Sequence, residues 1–375
     1  MIKVLLIAGA RPNFMKIAPI YRDGLKYNQV KCKIVHTGQH YDYEMSQAFF
    51  EDLEIPKPHF FLDAGSGSHA VQTAKIMIAF EEVCNKEKPD LIMVVGDVNS
   101  TLACSVVAKK LLIEVAHVEA GLRSFDLTMP EEINRMVTDA ISDYFFVTEE
   151  SGIKNLVREG KPKDRIHFVG NVMIDNLLYQ AKKLEKNDGK GFSTLELKNG
   201  KKDYVFLTLH RPSNVDSKEC FDEIAGALNF IAAERPILFP VHPRTRKMMD
   251  QFNIKISDNI SLLPPLGFKE SLFLWKDSTV VMTDSGGLQE ETTALGVPCV
   301  TLRENTERPI TIEMGTNVLA GTKKESILNA YKESINNKGK KYAVPPKWDG
   351  RAAERIWRVI LNSKSFIKNL DRITG

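Results

Sequence analysis

Strand-length apolar runs that stop on polar clusters recur along this chain of 375 residues, and they leave it few folds to choose from. Ile2–Ala8 is such a run, of the sort found in a strand buried on both faces. It breaks at Gly9-Ala10-Arg11-Pro12-Asn13 and passes into a helix near Lys16, a tight Gly turn at a helix N-terminus that can hold an anion. Lys33–His36 ends in Thr37-Gly38-Gln39-His40, and helical patterns follow at about 43–53 and 69–87. Leu91–Val95 ends in Gly96-Asp97-Val98-Asn99-Ser100-Thr101 before an alanine-rich helix. Val115–Val118 stops at Glu119, and Tyr144–Val147 stops at Thr148. Apolar runs alternating with helices predict a doubly wound parallel sheet whose polar strand ends form a site.

The pattern lapses between about Gln180 and Lys202, a lysine-rich stretch that reads as a helix end and a solvated connection. It resumes with Tyr204–Leu209 ending at His210-Arg211-Pro212, and Ile237–Val241 ending at His242-Pro243-Arg244. Thr279–Met282 then ends at Asp284-Ser285-Gly286-Gly287, and Cys299–Leu302 runs into Arg303 and Glu304. The expected organisation is an N-terminal α/β domain over residues 1–170 and a C-terminal α/β domain over 171–375. The last helices are expected to pack back toward the first domain. Two such Rossmann-like domains would face each other across a central cleft, where ligands usually sit.

Composition excludes several classes. A formal net charge of +3 does not indicate nucleic acid, and the apolar runs are too short to span a membrane. Five scattered cysteines show neither CxxC nor Cys/His spacing, which argues against zinc and a disulfide framework. Met1 leads straight into a strand, so the expectation is a cytoplasmic protein without metal. The first turn lacks the GxGxxG fingerprint, so nothing there specifies a dinucleotide.

The densest polar stretch runs from Ala116 to Asp139 and holds His117, Glu119, Arg123, Asp126, Glu131, Glu132 and Arg135. Neighbouring carboxylates at a sheet edge can move protons at neutral pH; a solvated loop before a surface helix fits the same residues. Arg11 and Lys16 fit phosphate contacts or surface salt bridges, and Asp97 fits a helix N-cap as well as an acid. In DSGGLQEE, two glycines at a helix start would let backbone N–H groups approach a phosphate. Ser285 could add a hydroxyl, Glu290 or Glu291 could accept from a ribose diol, and Arg308 could contact phosphate. Plain caps at Asp284 and Ser285, with glycines demanded by packing, are the other reading.

The ordered set GARPNFMK, TGQH, GDVNST, HVEAGLRS, PEEINR, LHRP, PVHP, TDSGGLQEE and TERP resembles the non-hydrolysing UDP-N-acetylglucosamine 2-epimerases, from Ile2 to about Ile356. The resemblance implies a GT-B-like pair of domains and inversion at the second sugar carbon, turning UDP-GlcNAc into UDP-ManNAc without a cofactor. A proton leaves that carbon as UDP departs, giving a bound 2-acetamidoglucal to which UDP adds back after protonation on the other face. Asp97, Glu119 and Glu131 match the family's catalytic carboxylates and His210 its catalytic histidine. Asp97 and Glu119 are expected around the second carbon, with Glu131 positioning or sharing a proton. His210 and Arg11 would stabilise the leaving diphosphate. Lys16, Ser285, Gly286, Gly287, Glu291 and Arg308 carry over as nucleotide contacts, Arg135 as a sugar or diphosphate contact, and Leu266 in the loop that packs uracil. The resemblance further implies a UDP-sugar substrate, a homodimer and a place in surface-polysaccharide biosynthesis.

Gln39, His40, Arg211 and His242 match a second UDP-GlcNAc site of some bacterial members, but Gly67-Ser68 stands where that site has an Arg-Gln pair. ARPN replaces TRPE, LHRPSN replaces HRREN, and Ser271 stands where relatives often have an apolar residue. Three alternatives share these motifs. They are a 2-epimerase for a UDP-diacetamido-glucuronic acid, a hydrolysing epimerase, and a nucleotide-sugar-binding regulator without catalysis.

Overall fold

Each apolar run named above becomes a strand in one of two fully parallel sheets. The computed structural model describes residues 1–38, 50–200, 203–336, 342–363 and 366. The first unit comprises Met1–Asn176 together with the chain from Pro346 onward; the second comprises Leu177–Pro345.

In the first unit the strands are β1 (Ile2–Ala8), β2 (Val30–His36), β3 (Phe60–Phe61), β4 (Leu91–Val95), β5 (Glu114–Val118), β6 (Tyr144–Val147) and β7 (Ile166–Phe168). Their order is β3-β2-β1-β4-β5-β6-β7, so the chain winds outward in both directions from the β1/β4 junction. Alternation along β1 divides its side chains between two cores. Val4, Leu6 and Ala8 pack with the helix Arg11–Gly24, and Leu5 and Ile7 pack against Ile76, Phe80 and Cys104 on the other face. All five residues of β4 are buried, which is why the run is apolar throughout.

The second unit repeats the plan with β8 (Val205–Thr208), β9 (Ile237–Pro240), β10 (Ile260–Leu263), β11 (Val280–Thr283), β12 (Cys299–Thr301) and β13 (Asn317–Leu319). The order β10-β9-β8-β11-β12-β13 puts its reversal between β8 and β11. The structure is thus two doubly wound domains, as the alternating pattern predicts.

The division differs from the expected one in two places. The chain leaves the first unit inside the helix Val172–Asn187, a few residues past Gly170. It then returns at Pro346, so the last residues, counted with the second domain but expected to pack back toward the first, belong to the first. The helix Ala352–Leu361 has an apolar face of Ala353, Ile356, Trp357 and Ile360, and that face is completed by the first core. Trp357 is fully buried and donates its indole N–H to the Ile20 carbonyl at 2.8 Å. Asp175 caps the helix, accepting from the Ala352 and Ala353 N–H groups at 3.1 and 2.7 Å.

The lysine-rich stretch is more ordered than a solvated connection. Helix runs to Asn187, and a short helix covers Leu195–Asn199. Phe192 packs on Phe273 at 5.4 Å, the Lys198 ammonium sits 3.8 Å above the same ring, and Thr194 donates to Glu270. One aromatic residue and one amphipathic lysine anchor a segment whose composition looks unanchored. No helix among the described residues is long and apolar enough to cross a membrane.

Removing the Trp357 ring empties a packed site and strands the Ile20 carbonyl. Trp357→Ala should therefore cost about 3–5 kcal/mol, measured as a shift of the urea transition followed by circular dichroism. An unchanged midpoint would show that the returning helix is dispensable to the first unit.

Candidate active site

The polar residues at the strand ends form one cluster on each unit. On the first, β1 passes into its helix through a turn with no spare room. A Cβ at Gly9 would lie 2.1 Å from Ser100 Oγ and 2.9 Å from Thr37 Oγ1, so only glycine fits. Asn13 closes the turn by accepting from the Gly9 and Ala10 N–H groups at 3.2 and 2.9 Å and donating to the Val95 carbonyl at 3.0 Å. The expectation that this turn could hold an anion is corrected here, because Asn13 already occupies two of its N–H groups. Arg11 stays exposed at the helix start, while Lys16 is engaged one turn on.

Lys16 forms an ion pair with Glu119, and both side chains are largely buried. Glu119 sits directly beyond β5 with φ +70°, a left-handed conformation that a non-glycine residue adopts at a cost. Its N–H donates to the Phe146 carbonyl at 3.0 Å, which turns the chain there and aims the carboxylate back at Lys16. Gly96 is also left-handed, and a Cβ on it would stand 3.0 Å from Lys16 Nζ and 3.4 Å from Glu119 Oε2. Asp97 follows immediately and pairs with Arg135. Lys16, Gly96, Asp97, Glu119 and Arg135 are therefore one constellation.

Glu131 is exposed on the first turn of the helix Pro130–Ile141, with no hydrogen bond or ion pair among the described residues. Its neighbour Glu132 is buried instead. It accepts from the Ser124 and Phe125 N–H groups, both at 3.0 Å, and from Arg135 at 2.8 Å. Burial works against its charge, but the two N–H bonds outweigh it and hold the carboxyl below its usual range. Glu132 orders the loop and steers Arg135, a role that spacing alone could not separate from that of Glu131.

On the second unit the organising group is Asp284, fully buried after β11. Its Oδ2 accepts from the His210 and Arg211 N–H groups at 2.9 and 2.8 Å, and His210 Nδ1 lies 2.7 Å from Oδ1. Burial opposes the charge, yet His210 and these N–H groups keep the Asp284 carboxyl depressed. The plain-cap reading of Asp284 is thereby replaced: it fixes both the His210 ring and the loop that carries it. The exposed edge of His210 is left for other chemistry.

The helix Gly286–Leu295 starts just beyond, with Ser285 at its N-cap. A Cβ on Gly286 or Gly287 would meet nothing within 4 Å, so packing does not demand glycine at either position. Glu290 pairs with Arg308, Nε to Oε1, at 3.0 Å. Burial, with the Glu290 charge beside it, pushes the Glu291 carboxyl up to about 8. Gln289 accepts from Thr306 Oγ1 at 2.6 Å, and the same hydroxyl accepts from the Arg308 N–H at 3.0 Å. That chain sets the loop from which Arg308 projects. Leu266 lies half-buried in the loop between β10 and the helix Phe268–Trp275, where Ser271 donates its N–H to the Gly267 carbonyl.

The residues matched to a second site are placed unevenly. Gln39 and His40 lie outside the described residues. Arg211 donates from Nε to the Asp284 carbonyl at 3.1 Å and stands 3.8 Å from Glu307. His242 is exposed, its ring 5.9 Å from that of His210; burial of the ring, then the His210 charge, lowers its pKa. Ser68, of the Gly67-Ser68 that replaces the second site's Arg-Gln pair, is the N-cap of the helix His69–Glu87 and accepts from the Val71 N–H. No cluster of three or more metal-ligating side chains occurs among the described residues.

A family model described as UDP-N-acetylglucosamine 2-epimerase matches residues 24–361. A UDP-N-acetylglucosamine 2-epimerase of Methanocaldococcus jannaschii is 44% identical over 96% of this chain and 100% of its own length. A UDP-2,3-diacetamido-2,3-dideoxy-D-glucuronate 2-epimerase of Pseudomonas aeruginosa is 39% identical, covering 94% of this chain and 98% of the relative. Among solved structures, the M. jannaschii UDP-GlcNAc 2-epimerase in complex with UDP-GlcNAc and UDP superposes with a TM-score of 0.83. It is 43% identical over 96% of this chain and 100% of that one. With these matches running almost end to end, the chain belongs to the UDP-N-acetylglucosamine 2-epimerase family of isomerases.

Proposed function

We propose that this protein inverts the second sugar carbon of UDP-N-acetylglucosamine to give UDP-N-acetylmannosamine, by eliminating UDP and adding it back. The observation that carries the substrate is the near full-length likeness to a relative solved with UDP-GlcNAc and UDP. The chemistry rests on the Lys16–Glu119 and Asp97–Arg135 pairs. A carboxylate takes the proton from the second carbon, the bond from the first carbon to the diphosphate oxygen breaks, and a carbon–carbon double bond forms between the two. A second acid then protonates the opposite face, and the diphosphate returns to the first carbon.

Asp97 and Glu119 serve the two faces, and Glu131 shares or positions a proton. Arriving diphosphate competes with Glu119 for Lys16, which releases Glu119 for proton transfer at the moment the leaving group binds. His210, oriented by Asp284, and Arg11 stabilise the departing charge. Arg135 steers Asp97 or touches the sugar. Ser285, the Gly286 and Gly287 N–H groups, Glu291, Arg308 and Leu266 hold the nucleotide. The glycines support this most directly, since neither packing nor a positive φ explains them. A second UDP-sugar on Arg211 and His242 is a weaker reading, given Gly67-Ser68. We extend the proposal to a cytoplasmic homodimer serving surface-polysaccharide synthesis.

The Pseudomonas relative favours one other substrate, a UDP-diacetamido-glucuronic acid. Comparing kcat/KM for the two sugars decides between them, with UDP-N-acetylglucosamine expected to be preferred.

In heavy water the UDP-N-acetylmannosamine formed should carry deuterium at its second carbon. Oxygen label placed in the sugar–diphosphate bridge should scramble into non-bridging positions. Product that keeps its original hydrogen and an unscrambled bridge would rule out elimination. Glu119→Gln and Asp97→Asn should each slow turnover by about 100-fold or more; Asp97→Asn should leave UDP affinity nearly intact, while Glu119→Gln should tighten UDP because Lys16 no longer has to be drawn from Glu119.

Glu291 offers an independent check on the nucleotide contacts. A ribose diol donates to the ionised carboxylate, while the unliganded group holds its proton up to about pH 8. UDP binding at pH 7 should therefore release protons, and affinity should climb as pH rises toward 8 and then level off. Calorimetry in buffers of different ionisation enthalpy measures the release. Subtracting the Glu291→Gln variant removes the titration of UDP itself, and an identical pH dependence in the two proteins would remove Glu291 from the ribose.

A further inference from the structure

His117 lies on β5 two residues before Glu119 and is fully buried, as is its partner Asp139 on the helix Pro130–Ile141. The imidazole is held from both sides. Nδ1 is 2.7 Å from Asp139 Oδ1, and Nε2 is 2.9 Å from the Gly96 carbonyl. A carbonyl oxygen only accepts, so Nε2 donates there. Asp139 also takes the Gly121 N–H at 3.0 Å and Arg123 at 2.7 Å, both on Oδ2. Arg123 in turn binds Glu159 through two N–H groups at 2.8 and 2.7 Å. His117, Asp139, Arg123 and Glu159 thus form one bonded cluster beneath the strand ends, and Arg123 has only 2% of its side chain exposed.

Gly96 immediately precedes Asp97, and Gly121 closes the turn that begins at Glu119. Both glycines, and Glu119 itself, have positive φ, at 69°, 81° and 70°. Neither loop is held in place by regular strand geometry at those residues. Main-chain bonds here run from the Gly96 N–H to the Val118 carbonyl at 3.1 Å and from the Glu119 and Ala120 N–H groups to the Phe146 carbonyl at 3.0 and 3.2 Å. A Cβ on Gly121 would lie 2.4 Å from the Gly152 carbonyl oxygen, so the turn cannot relax toward that side. The His117–Asp139 pair therefore spans from the residue before one candidate carboxylate to the turn after the other.

We propose that His117 and Asp139 are positioning residues that set the separation of Asp97 and Glu119. Neither touches the reacting atoms, and the inference rests on the reading of those two carboxylates as the groups that move the proton. Both ring nitrogens of His117 face acceptors, so the ring donates twice, and each protonated nitrogen should give its own N–H signal in nitrogen-15 NMR.

His117→Leu removes the crosspiece while filling its space. It should bind UDP with wild-type affinity and stoichiometry by calorimetry, yet turn over about 100-fold more slowly, the loss expected when reacting groups shift by about 1 Å. His117→Gln, whose amide can still reach the Gly96 carbonyl, should recover part of that loss. Asp139→Asn, isosteric and expected to fold even if His117→Leu does not, should lose kcat without losing UDP affinity. A merely structural histidine would lower the number of UDP-binding sites and leave kcat per site unchanged. Wild-type kcat per UDP-binding site in His117→Leu, or in Asp139→Asn should the first not fold, would overturn the proposal. Failure of the wild type to convert UDP-N-acetylglucosamine is a separate result, which removes the reading of the reaction; the two ring N–H signals of the wild type would still show the crosspiece bonded at both ends.

Discussion

A strand buried on both faces can carry chemistry only at its ends, and everything functional in this chain follows from how those ends are secured. Regular pairing stops at the last strand residue, so the N–H groups of the next loop need other partners. Each unit meets that need where its winding reverses. In the first, Asn13 takes two N–H groups of the turn after β1 and reaches the last carbonyl of β4. In the second, Asp284, just past β11, takes two N–H groups of the loop after β8. Either way one buried polar side chain ties the two central strands together beyond the sheet, and the candidate catalytic groups hang from the tied loops.

Central strands were legible because burial on both faces leaves an unbroken apolar run. Edge strands were not. Phe60–Phe61, Ile166–Phe168, Ile260–Leu263 and Asn317–Leu319 are short and only partly buried, so composition hardly marks them. The C-terminal helix was expected to pack back toward the first unit, and there the apolar face of Ile356, Trp357 and Ile360 completes the first core.

At the site, what position made legible is that Asp97, Glu119 and His210 lie within two residues of a strand end; the roles proposed for them came from the family resemblance. Their supports were not legible. Asp284 looked like a helix cap, Glu132 was indistinguishable from Glu131, and His117 read as one more polar residue in a dense stretch. Each supports its neighbours through bonds to residues distant in sequence or to loop N–H groups, and these exist only once the strands are ordered. Spacing reports which strand end a residue occupies, whereas hydrogen-bond partners depend on which strands become neighbours.

The glycines following β1 and β11 sharpen that limit. In sequence both are small residues between a strand and a helix, and both suggest an anion site. Gly9 is glycine because Ser100 leaves no room for a Cβ, and the N–H groups of its turn are already taken. Gly286 and Gly287 have open space where a Cβ would go and stand at the start of a ten-residue helix, whose first N–H groups lack partners within it. The helix dipole adds to their attraction for negative charge, and Arg308 lies close by on Glu290. The same sequence signal thus closes one turn by packing and leaves the other suited to an anion, and on that difference rests the proposal that Ser285, Gly286 and Gly287 hold the nucleotide.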